Sequence, residues 1–456
     1  MKELTRHIMV DFLPMKTFAE DPLILTEGRG IYVTDGDGKR YIDGLSGTFC
    51  MNLGHGNRRI VEAAARQMER LALACPTLGT SDRALELTRK LLEITPPQYT
   101  TLKLLSGGSE ATEAAIKMAR QYHKQTGRAT KYKVLSHYRG YHGATGHALA
   151  AGGWPGWRAA YEPLAGGFVH LHTPDPYSAP FAGPPQTLGA AYARLAEEVI
   201  ELEAPETIAA FITEPIMTSA GVVVPPRDYL PRIRELCDRH DILLIYDEII
   251  TGFGRTGRLF AAEHWNMWPD ILCLGKGMSG GYAPLSAAVL THRVADAFWG
   301  DTDDRVQFHA GHTYGGNPVA CAVGLAAIDE LFEGRLVENA RARGAQLVAS
   351  LRAVQQRRPV IGDVRGEGLL VAADLVRDPA TRERYPAELN IGIRVRDAAR
   401  RLGLLLRAGP AVVVFAPPLT TSAQEIDEIA GLFEDALSEV LRTIDGAPAV
   451  EARAGA

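Results

Sequence analysis

The chain alternates between short apolar segments and longer segments with the apolar spacing of helices. Short apolar runs bounded by turn-forming or charged residues are typical of buried parallel strands. We therefore predict an α/β fold with a mostly parallel, doubly wound sheet and helices on both of its faces. The predicted strands lie at residues 101–105 and near Lys133, Phe168, Ala209, Ile242, Ile271 and Leu285. The predicted helices cover residues 57–73, 81–93, 111–125, 189–202, 226–239 and 318–331.

The pattern differs at both ends of the chain. Residues 23–41 predict short strands around an Asp-Gly-Asp-Gly turn at residues 35–38. The C-terminal part predicts a helix after Gly334, strands at 368–375, a helix at 391–402, strands at 404–415 and a helix from Thr421. We interpret these elements as a smaller α+β domain built from both termini. The predicted division is an N-terminal segment (1–60), a large domain (61–333), a small domain (334–444) and a disordered tail (445–456).

Composition limits the class of protein. The chain has 456 residues, of which 46% are hydrophobic and 23% are charged, as in a globular enzyme with a large core. The net charge of -5 gives no reason to expect nucleic acid or an anionic membrane as a partner. The five cysteines are scattered without metal-ligand spacing, and no signal sequence or membrane span is evident. These features predict a cytoplasmic protein with reduced thiols.

Two charged residues follow neighbouring apolar runs. Asp247 follows residues 242–246, and Lys276, between two glycines, follows residues 271–274. Because ligands bind at the carboxyl ends of strands in open α/β sheets, both side chains should face one site. An acid and an amine placed together suit pyridoxal 5'-phosphate (PLP), whose carbonyl carbon forms a Schiff base with a lysine and whose ring nitrogen requires an acidic partner. Burial would lower the pKa of the Lys276 amine, although a single lysine is more often solvated.

Other residues at predicted strand ends fit the same cofactor, and each has a plainer structural alternative. The Ser-Gly-Gly-Ser sequence at residues 106–109 could hold a phosphate through free amides or could be an ordinary N-cap turn. Tyr141 could stack on a flat ring or be one more half-buried aromatic. Glu214 could hydrogen-bond near the ring hydroxyl or cap a turn. Ile249 could contact the ring from the side opposite Tyr141.

Three further features are interpreted as coincidental. Residues 252–257, GFGRTG, match the dinucleotide-binding glycine pattern, but no helix start follows and Arg255 would crowd the turn. Residues 275–277 do not form a P-loop, because no Ser or Thr follows the lysine. No metal site is predicted, because no acid or cysteine lies at ligand spacing from the pairs His170/His172 and His309/His312.

The residues described so far belong to segments that resemble a known family. These segments are SGGSEATEAAIKMAR, YHGAT, ITEP, IYDEIITGFGRTG, LGKGMSGGYAPL, HTYGGNPVACA and FAPPL. In order and spacing they resemble the class-III PLP-dependent aminotransferases of fold type I, over about residues 5 to 440. The resemblance implies a transaminase with a large PLP-binding domain and a smaller α+β domain.

The resemblance also implies roles for individual residues. The catalytic residues would be Lys276, which binds PLP as a Schiff base and moves the proton, Asp247, which pairs with the ring nitrogen, and Tyr141, which stacks on the ring. Ile249 would contact the opposite ring face. The remaining cofactor contacts implied by the motifs are Gly108, Ser109, His142, Glu214, His312 and Thr313.

Thr313 would reach the phosphate across a subunit interface, so the resemblance implies a homodimer or a dimer of dimers with shared active sites.

Arg407 matches the family's movable arginine, which binds a carboxylate bidentately.

Within the family, the segments YIDGLSGTFCMNLGHG and DEIITGFGRTG resemble the ω-amino-acid or amine:pyruvate branch. Ile250 stands where ornithine, acetylornithine and 4-aminobutyrate enzymes usually have Gln. Phe49 replaces the usual Trp of the branch, and Phe12 lies where the diaminopelargonate enzyme would need Tyr. The resemblance therefore implies an amine or ω-amino-acid donor, pyruvate as the acceptor and an apolar, somewhat wider pocket.

Other functions are compatible with the same scaffold. An amino-acid racemase or epimerase, an aminomutase or a decarboxylase would differ only in where the proton returns or which bond breaks, and sequence shows this poorly. A non-catalytic binding homologue is disfavoured because Lys276, Asp247 and Arg407 are all present.

Overall fold

The computed structural model describes residues 2–181 and 184–444. Its strands are β1 (Leu25–Arg29), β2 (Tyr32–Asp35), β3 (Arg40–Asp43), β4 (Tyr99–Leu105), β5 (Lys133–His137), β6 (Phe168–Leu171), β7 (Ile208–Thr213), β8 (Leu243–Asp247), β9 (Ile271–Leu274), β10 (Ser286–Thr291), β11 (Ile361–Glu367), β12 (Leu370–Leu375), β13 (Leu404–Leu405), β14 (Arg407–Ala408) and β15 (Val412–Phe415).

The helices alternate with these strands. They are α1 (Met15–Glu20), α2 (Ser46–Phe49), α3 (Arg58–Arg70), α4 (Asp82–Ile94), α5 (Gly108–Gln125), α6 (Gly146–Ala151), α7 (Pro155–Arg158), α8 (Pro185–Leu202), α9 (Tyr229–Arg239), α10 (His292–Ala295), α11 (Pro318–Glu333), α12 (Leu336–Arg357), α13 (Ile391–Arg401) and α14 (Ala423–Ile444). Asn57 and Ser81 cap α3 and α4 as predicted: their side chains accept hydrogen bonds from the amides of Ile60 and Ala84.

The central sheet has seven strands in the order β4-β10-β9-β8-β7-β5-β6. All neighbouring pairs from β6 to β9 are parallel, and β10 alone runs antiparallel to both of its neighbours. Alternate residues of β8 bury opposite faces: Leu244 and Tyr246 belong to one apolar core, while Leu243 and Ile245 belong to the other. The mostly parallel, doubly wound sheet predicted from the sequence is therefore confirmed.

Two four-stranded sheets lie outside the central sheet, in the orders β1-β2-β3-β13 and β11-β12-β15-β14. The first joins the two ends of the chain, because β3 pairs in parallel with β13 through Ile42 and Leu404. This pairing fits a smaller domain built from both termini. The domain boundaries stay a prediction, and α3 spans the first of them, at residue 60.

Arg255 connects segments that are distant in the chain. Its side chain is completely buried, and its guanidinium donates to the carbonyls of Leu369 and Pro417 and to the side chains of Ser46 and Asn52. Burial without a carboxylate partner lowers its pKa to about 10. Arg255 therefore lies inside the protein, and the GFGRTG segment follows β8 as a series of turns rather than a dinucleotide-binding loop.

The observed elements differ from the predicted ones in several places: helices α1, α2, α6, α7 and α10 were not predicted, and α8 begins at Pro185, before the predicted start at residue 189. Strand β11 was not predicted, because only Ile361 and Val364 of its seven residues are buried and the rest is polar or glycine. Helix α3 ends at Arg70, three residues before the predicted end, because Leu71 adopts an extended conformation. The predicted disordered tail, residues 445–456, lies outside the described residues.

Within the described residues, no helix combines the length and apolar character needed to cross a bilayer. All five cysteines are free thiols, in agreement with the predicted absence of disulfides. No cluster of metal-ligating side chains occurs in the described part of the chain.

Candidate active site

A cavity of about 250 Å³ lies at the carboxyl end of the central sheet. It collects most of the residues selected from the sequence, together with several that were not selected. The lining residues are Asp11, Phe12, Thr48, Phe49, Gly108, Ser109, Tyr141, His142, Gly143, Trp157, Glu214, Ser219, Asp247, Ile249, Ile250, Lys276 and Arg407.

Asp247 and Lys276 lie at the ends of adjacent parallel strands. Asp247 is the last residue of β8 and pairs in register with Cys273 of β9, three residues before Lys276. Both side chains line the cavity. The Asp247 carboxylate is close enough to oppose the lowering of the Lys276 pKa by burial. The predicted juxtaposition of an acid and an amine is therefore present.

The surroundings of Lys276 favour a neutral amine. Burial lowers its pKa, and this outweighs the opposing effects of Asp247, Cys50 and Glu214, while Arg407 lowers the pKa further. The backbone of Lys276 has φ +41°, a left-handed conformation that is uncommon for a residue with a side chain. Such strain persists only where surrounding structure enforces it, which is typical of functional positions.

The start of α5 leaves two backbone amides free at the cavity. The Glu110 carboxylate accepts hydrogen bonds from the amides of Ser106 and Gly107, at 3.0 and 2.8 Å. The amides of Gly108 and Ser109, which line the cavity, have no acceptor among the described residues. A Cβ at Gly108 would lie 2.9 Å from Ile249 Cδ1, so any other residue there requires the Ile249 side chain to shift. Free amides at a helix N-terminus next to an open space are suited to a phosphate.

His142 and Glu214 are buried beside Asp247. His142 Nδ1 lies 3.0 Å from Asp247 Oδ2, and Asp247 Oδ1 accepts from the amide of Ile249 at 3.2 Å. The carboxylate of Glu214 accepts from the amides of Tyr141 and Thr218. Burial raises the pKa of Glu214 to about 7, and the nearby Asp247 charge contributes to the shift.

Another part of the cavity lining contains the aromatic ring of Phe49 and the guanidinium of Arg407. The carbon at the centre of the Arg407 guanidinium lies 5.7 Å from the centroid of the Phe49 ring, and Lys276 Nζ lies 6.0 Å from the same centroid. Arg407 makes no ion pair with any described residue, and burial lowers its pKa. Phe49 is 1% exposed and has φ +61°. A half-buried guanidinium without an ion-pair partner is suited to bind a carboxylate ligand.

Two predicted site residues lie outside this cavity in the single chain. Thr313 is exposed, and His312 Nδ1 lies 3.5 Å from Glu110 Oε1, near the start of α5. The cofactor contact of His312 stays a prediction, as does the contact of Thr313 with the phosphate of a second subunit.

Sequence reasoning assigned no role to five cavity residues, Asp11, Thr48, Gly143, Trp157 and Ser219. Trp157 contacts the rings of Tyr141 and Phe12, at centroid distances of 5.5 and 5.2 Å. The aromatic-rich sequence GWPGW at residues 153–157 could have indicated Trp157. No local sequence pattern indicates that the N-terminal segment, with Asp11, lies at this cavity.

The site fits PLP. A lysine whose pKa is lowered by burial, a carboxylate hydrogen-bonded to His142, and free amides at a helix N-terminus match the aldehyde, the ring nitrogen and the phosphate of this cofactor. The fold and the site therefore define a PLP-dependent enzyme of fold type I.

Comparison with known proteins identifies the family. The family model described as aminotransferase class-III matches residues 16–437, and the chain belongs to this family. It is 37% identical over 444 residues to an adenosylmethionine-8-amino-7-oxononanoate aminotransferase from Geobacter sulfurreducens, covering 97% of each chain. The protein is thus a PLP-dependent aminotransferase, as the resemblance predicted.

Solved structures agree. An (S)-enantioselective omega-transaminase from Thermomicrobium roseum superimposes with a TM-score of 0.92 at 40% identity, over 96% of this chain and 97% of that one. A PLP-bound amine transaminase from an uncultivated Pseudomonas species gives a TM-score of 0.89 at 38% identity, with the same coverage. These relatives include enzymes with different donors, so the family does not define the substrate.

Proposed function

We propose that this aminotransferase moves an amino group from an amine or ω-amino acid to pyruvate. The observation that carries the proposal is Arg407, an unpaired guanidinium in a cavity whose lining also includes the aromatic side chains of Phe49, Tyr141 and Trp157. The guanidinium can bind the carboxylate of a keto acid, while the aromatic walls accept an apolar amine.

The chain's own residues divide the work of the reaction. PLP, when bound, supplies the electron-withdrawing ring that stabilises negative charge at the substrate carbon. Asp247, oriented by His142 and the amide of Ile249, would keep the ring nitrogen protonated. The amides of Gly108 and Ser109 would hold the phosphate, and Tyr141 and Ile249 would contact the two ring faces.

Lys276 would be both nucleophile and base. Burial lowers the pKa of its amine, so Nζ would hold the aldehyde carbon of PLP and would accept the proton from the substrate's amine-bearing carbon. Glu214, hydrogen-bonded to two backbone amides, would support the part of the ring that bears the hydroxyl. Exclusion of water by Phe49 and Trp157 would strengthen these electrostatic interactions.

We also propose that the catalytic unit is at least a homodimer. His312 already lies beside Glu110 at the start of α5, and Thr313 next to it is exposed. A second subunit that brings its own Thr313 to this position would complete the phosphate site.

The test is a panel of donors, comprising 1-phenylethylamine, β-alanine, 4-aminobutyrate and aliphatic amines, each offered with pyruvate or with 2-oxoglutarate. Consumption of keto acid is the readout, and we expect turnover with pyruvate and an amine donor. Turnover only with 2-oxoglutarate would overturn the acceptor assignment. Loss of optical rotation of an amino acid without any keto acid would indicate a racemase.

A further inference from the structure

The cavity contains one charged group to which the chemistry above gives no role. Asp11, in the segment between the first turn of the chain and α1, lines the cavity next to Phe12. It makes no hydrogen bond or ion pair with any side chain that the structure describes, and it is exposed. Burial raises the pKa of the Tyr141 hydroxyl; the Asp11 charge raises it further, and the Arg407 charge lowers it. Asp11 therefore lies within electrostatic range of the aromatic part of the site.

The other carboxylates of the cavity are already engaged. Asp247 is hydrogen-bonded to His142, and Glu214 accepts from two backbone amides. Asp11 is thus the carboxylate left over in the described lining of the cavity. A negative charge beside aromatic walls favours a cationic ligand group. The carboxylate of Asp11 would compensate the loss of hydration of a cation that binds there.

The walls between Lys276 and Asp11 suit an alkyl chain. The Phe12 ring packs against Trp157, which in turn contacts Tyr141 edge-on at an interplanar angle of 87°. A donor whose reacting amine is at Lys276 would therefore pass an apolar section before reaching the carboxylate. Such a donor has an amine at one end, methylene groups in the middle and a cation at the other end.

We propose that Asp11 is a specificity-determining residue that binds the distal ammonium group of an aliphatic diamine donor. The inference rests on the proposed amine:pyruvate activity and narrows its donor class. Arg407 binds the carboxylate of the keto acid in one half-reaction, and Asp11 binds the second ammonium of the donor in the other. Asp11 would repel a distal carboxylate, so diamines should be preferred over ω-amino acids of equal length.

The experiment compares a matched pair of donors, 1,4-diaminobutane and 1-aminobutane, with pyruvate as the acceptor. In Asp11→Asn, the ratio of kcat/KM for the diamine to that for the monoamine should fall about 10-fold, as expected for one partly exposed charge-assisted contact. Asp11→Lys should lower the ratio further and improve 4-aminobutyrate relative to 1,4-diaminobutane. A ratio unchanged in both variants overturns the inference.

Glu3→Gln is the matched control. It removes one negative charge from the same N-terminal segment, and Glu3 is exposed and does not line the cavity. Its donor ratio should equal that of the wild type. A fall equal to that of Asp11→Asn would mean that net charge, rather than contact with Asp11, sets the preference, and would also overturn the inference.

A binding measurement separates failure of the inference from failure of the proposed function. The tertiary diamine N,N,N′,N′-tetramethyl-1,4-diaminobutane cannot condense with a carbonyl, and its Kd can be measured calorimetrically on the PLP-loaded protein. Asp11→Asn should weaken this binding about 10-fold and leave N,N-dimethylbutylamine unaffected. If no amine is turned over with pyruvate, the proposed function fails, and the calorimetry still decides the role of Asp11.

Discussion

Asp247 Oδ2 and His142 Nδ1 lie 3.0 Å apart inside the cavity, and both residues are buried. The other carboxylate oxygen accepts from the amide of Ile249. These two hydrogen bonds fix the orientation of the carboxylate before any ligand binds. Fixed charges of this kind stabilise a developing positive charge without reorganisation during the reaction.

Replacing Asp247 with Asn should therefore remove the charge and keep the shape. We expect kcat to fall by about 10- to 100-fold, the range for loss of one charge-assisted hydrogen bond in a buried site. Single-turnover kinetics with an amine donor provide the measurement. His142→Leu is the comparison: it keeps the charge of Asp247 and removes one of its two orienting bonds, so its loss should be smaller. Equal rates for Asp247→Asn and the wild type would refute the role of Asp247.

Replacing Lys276 with Ala should abolish both covalent cofactor attachment and turnover, because no other lysine lines the described cavity. Mass spectrometry after borohydride reduction detects attachment, and visible absorbance reports the bound cofactor. Lys131→Met is the matched control. Burial also lowers the pKa of Lys131, but its amine donates to three backbone carbonyls elsewhere. This variant should lose stability and retain the attached cofactor; attachment that survives in Lys276→Ala would contradict the assignment.

Replacing Arg407 with Met should raise the KM for pyruvate by about 10- to 100-fold, because a bidentate guanidinium–carboxylate contact is lost. The KM for an uncharged-tail donor such as 1-aminobutane should change little, since that donor has no carboxylate. Arg401→Ala, which removes an exposed arginine paired with Glu439 at the end of α13, should leave both values unchanged. An equal rise in both KM values would show that Arg407 shapes the pocket instead.

Strand ends explain why much of the site could be predicted from the sequence. Asp247, Glu214 and Lys276 each follow an uninterrupted apolar run, and such runs are readily recognised as buried strands. Since parallel strands end at one edge of the sheet, residues far apart in the chain could be assigned to one site. The glycines at the start of α5 were recognisable for a similar reason, because a strand–glycine–helix junction leaves amides free.

Other parts of the site depend on long-range contacts that leave no local pattern. The N-terminal segment places Phe12 against Trp157, far along the chain, and brings Asp11 to the lining of the same cavity. Arginine side chains are mostly exposed in proteins, yet Arg255 is buried because carbonyls from the C-terminal part of the chain accept hydrogen bonds from its guanidinium. Strand β11 is polar along most of its length and is ordered by pairing with β12 rather than by its own apolar pattern.

Gly108→Ala tests the fit of the phosphate cradle. The added methyl group would lie 2.9 Å from Ile249 Cδ1 and 3.0 Å from Cγ2, so it should displace Ile249 and weaken PLP binding about 10-fold, at a cost typical of overpacking. The Kd for PLP can be measured by quenching of protein fluorescence. Gly107→Ala is the control, because the nearest atom to its added methyl group is a Glu110 oxygen at 3.9 Å.

The double variant Gly108→Ala/Ile249→Ala should recover part of the affinity, since truncation of Ile249 removes the clash. Equal weakening in Gly107→Ala and Gly108→Ala would show that loss of glycine flexibility, rather than contact with Ile249, is responsible.

Glu214 should make the stability of the cofactor-free protein depend on pH. Burial raises its pKa from 4.5 to about 7, so the folded state holds the proton more tightly than the unfolded chain. The contribution is fully present below pH 4.5 and is lost as the pH rises to about 7. The wild type should thus lose about 2 kcal/mol more of its unfolding free energy than Glu214→Gln across this interval.

Urea unfolding followed by circular dichroism between pH 4.5 and 8 measures the difference. Glu248, whose pKa burial also raises to about 7, is common to both proteins and cancels. Glu113→Gln is the control, because the pKa of Glu113 is shifted in the opposite direction and the difference in unfolding free energy between this variant and the wild type should stay constant above pH 4.5. Although burial opposes it, hydrogen bonds from His147, Ala148 and Thr145 lower the pKa of Glu113 to about 2, so its contribution is lost only below pH 4.5. A wild-type curve parallel to that of Glu214→Gln would show that Glu214 is already ionised in the folded protein at pH 5.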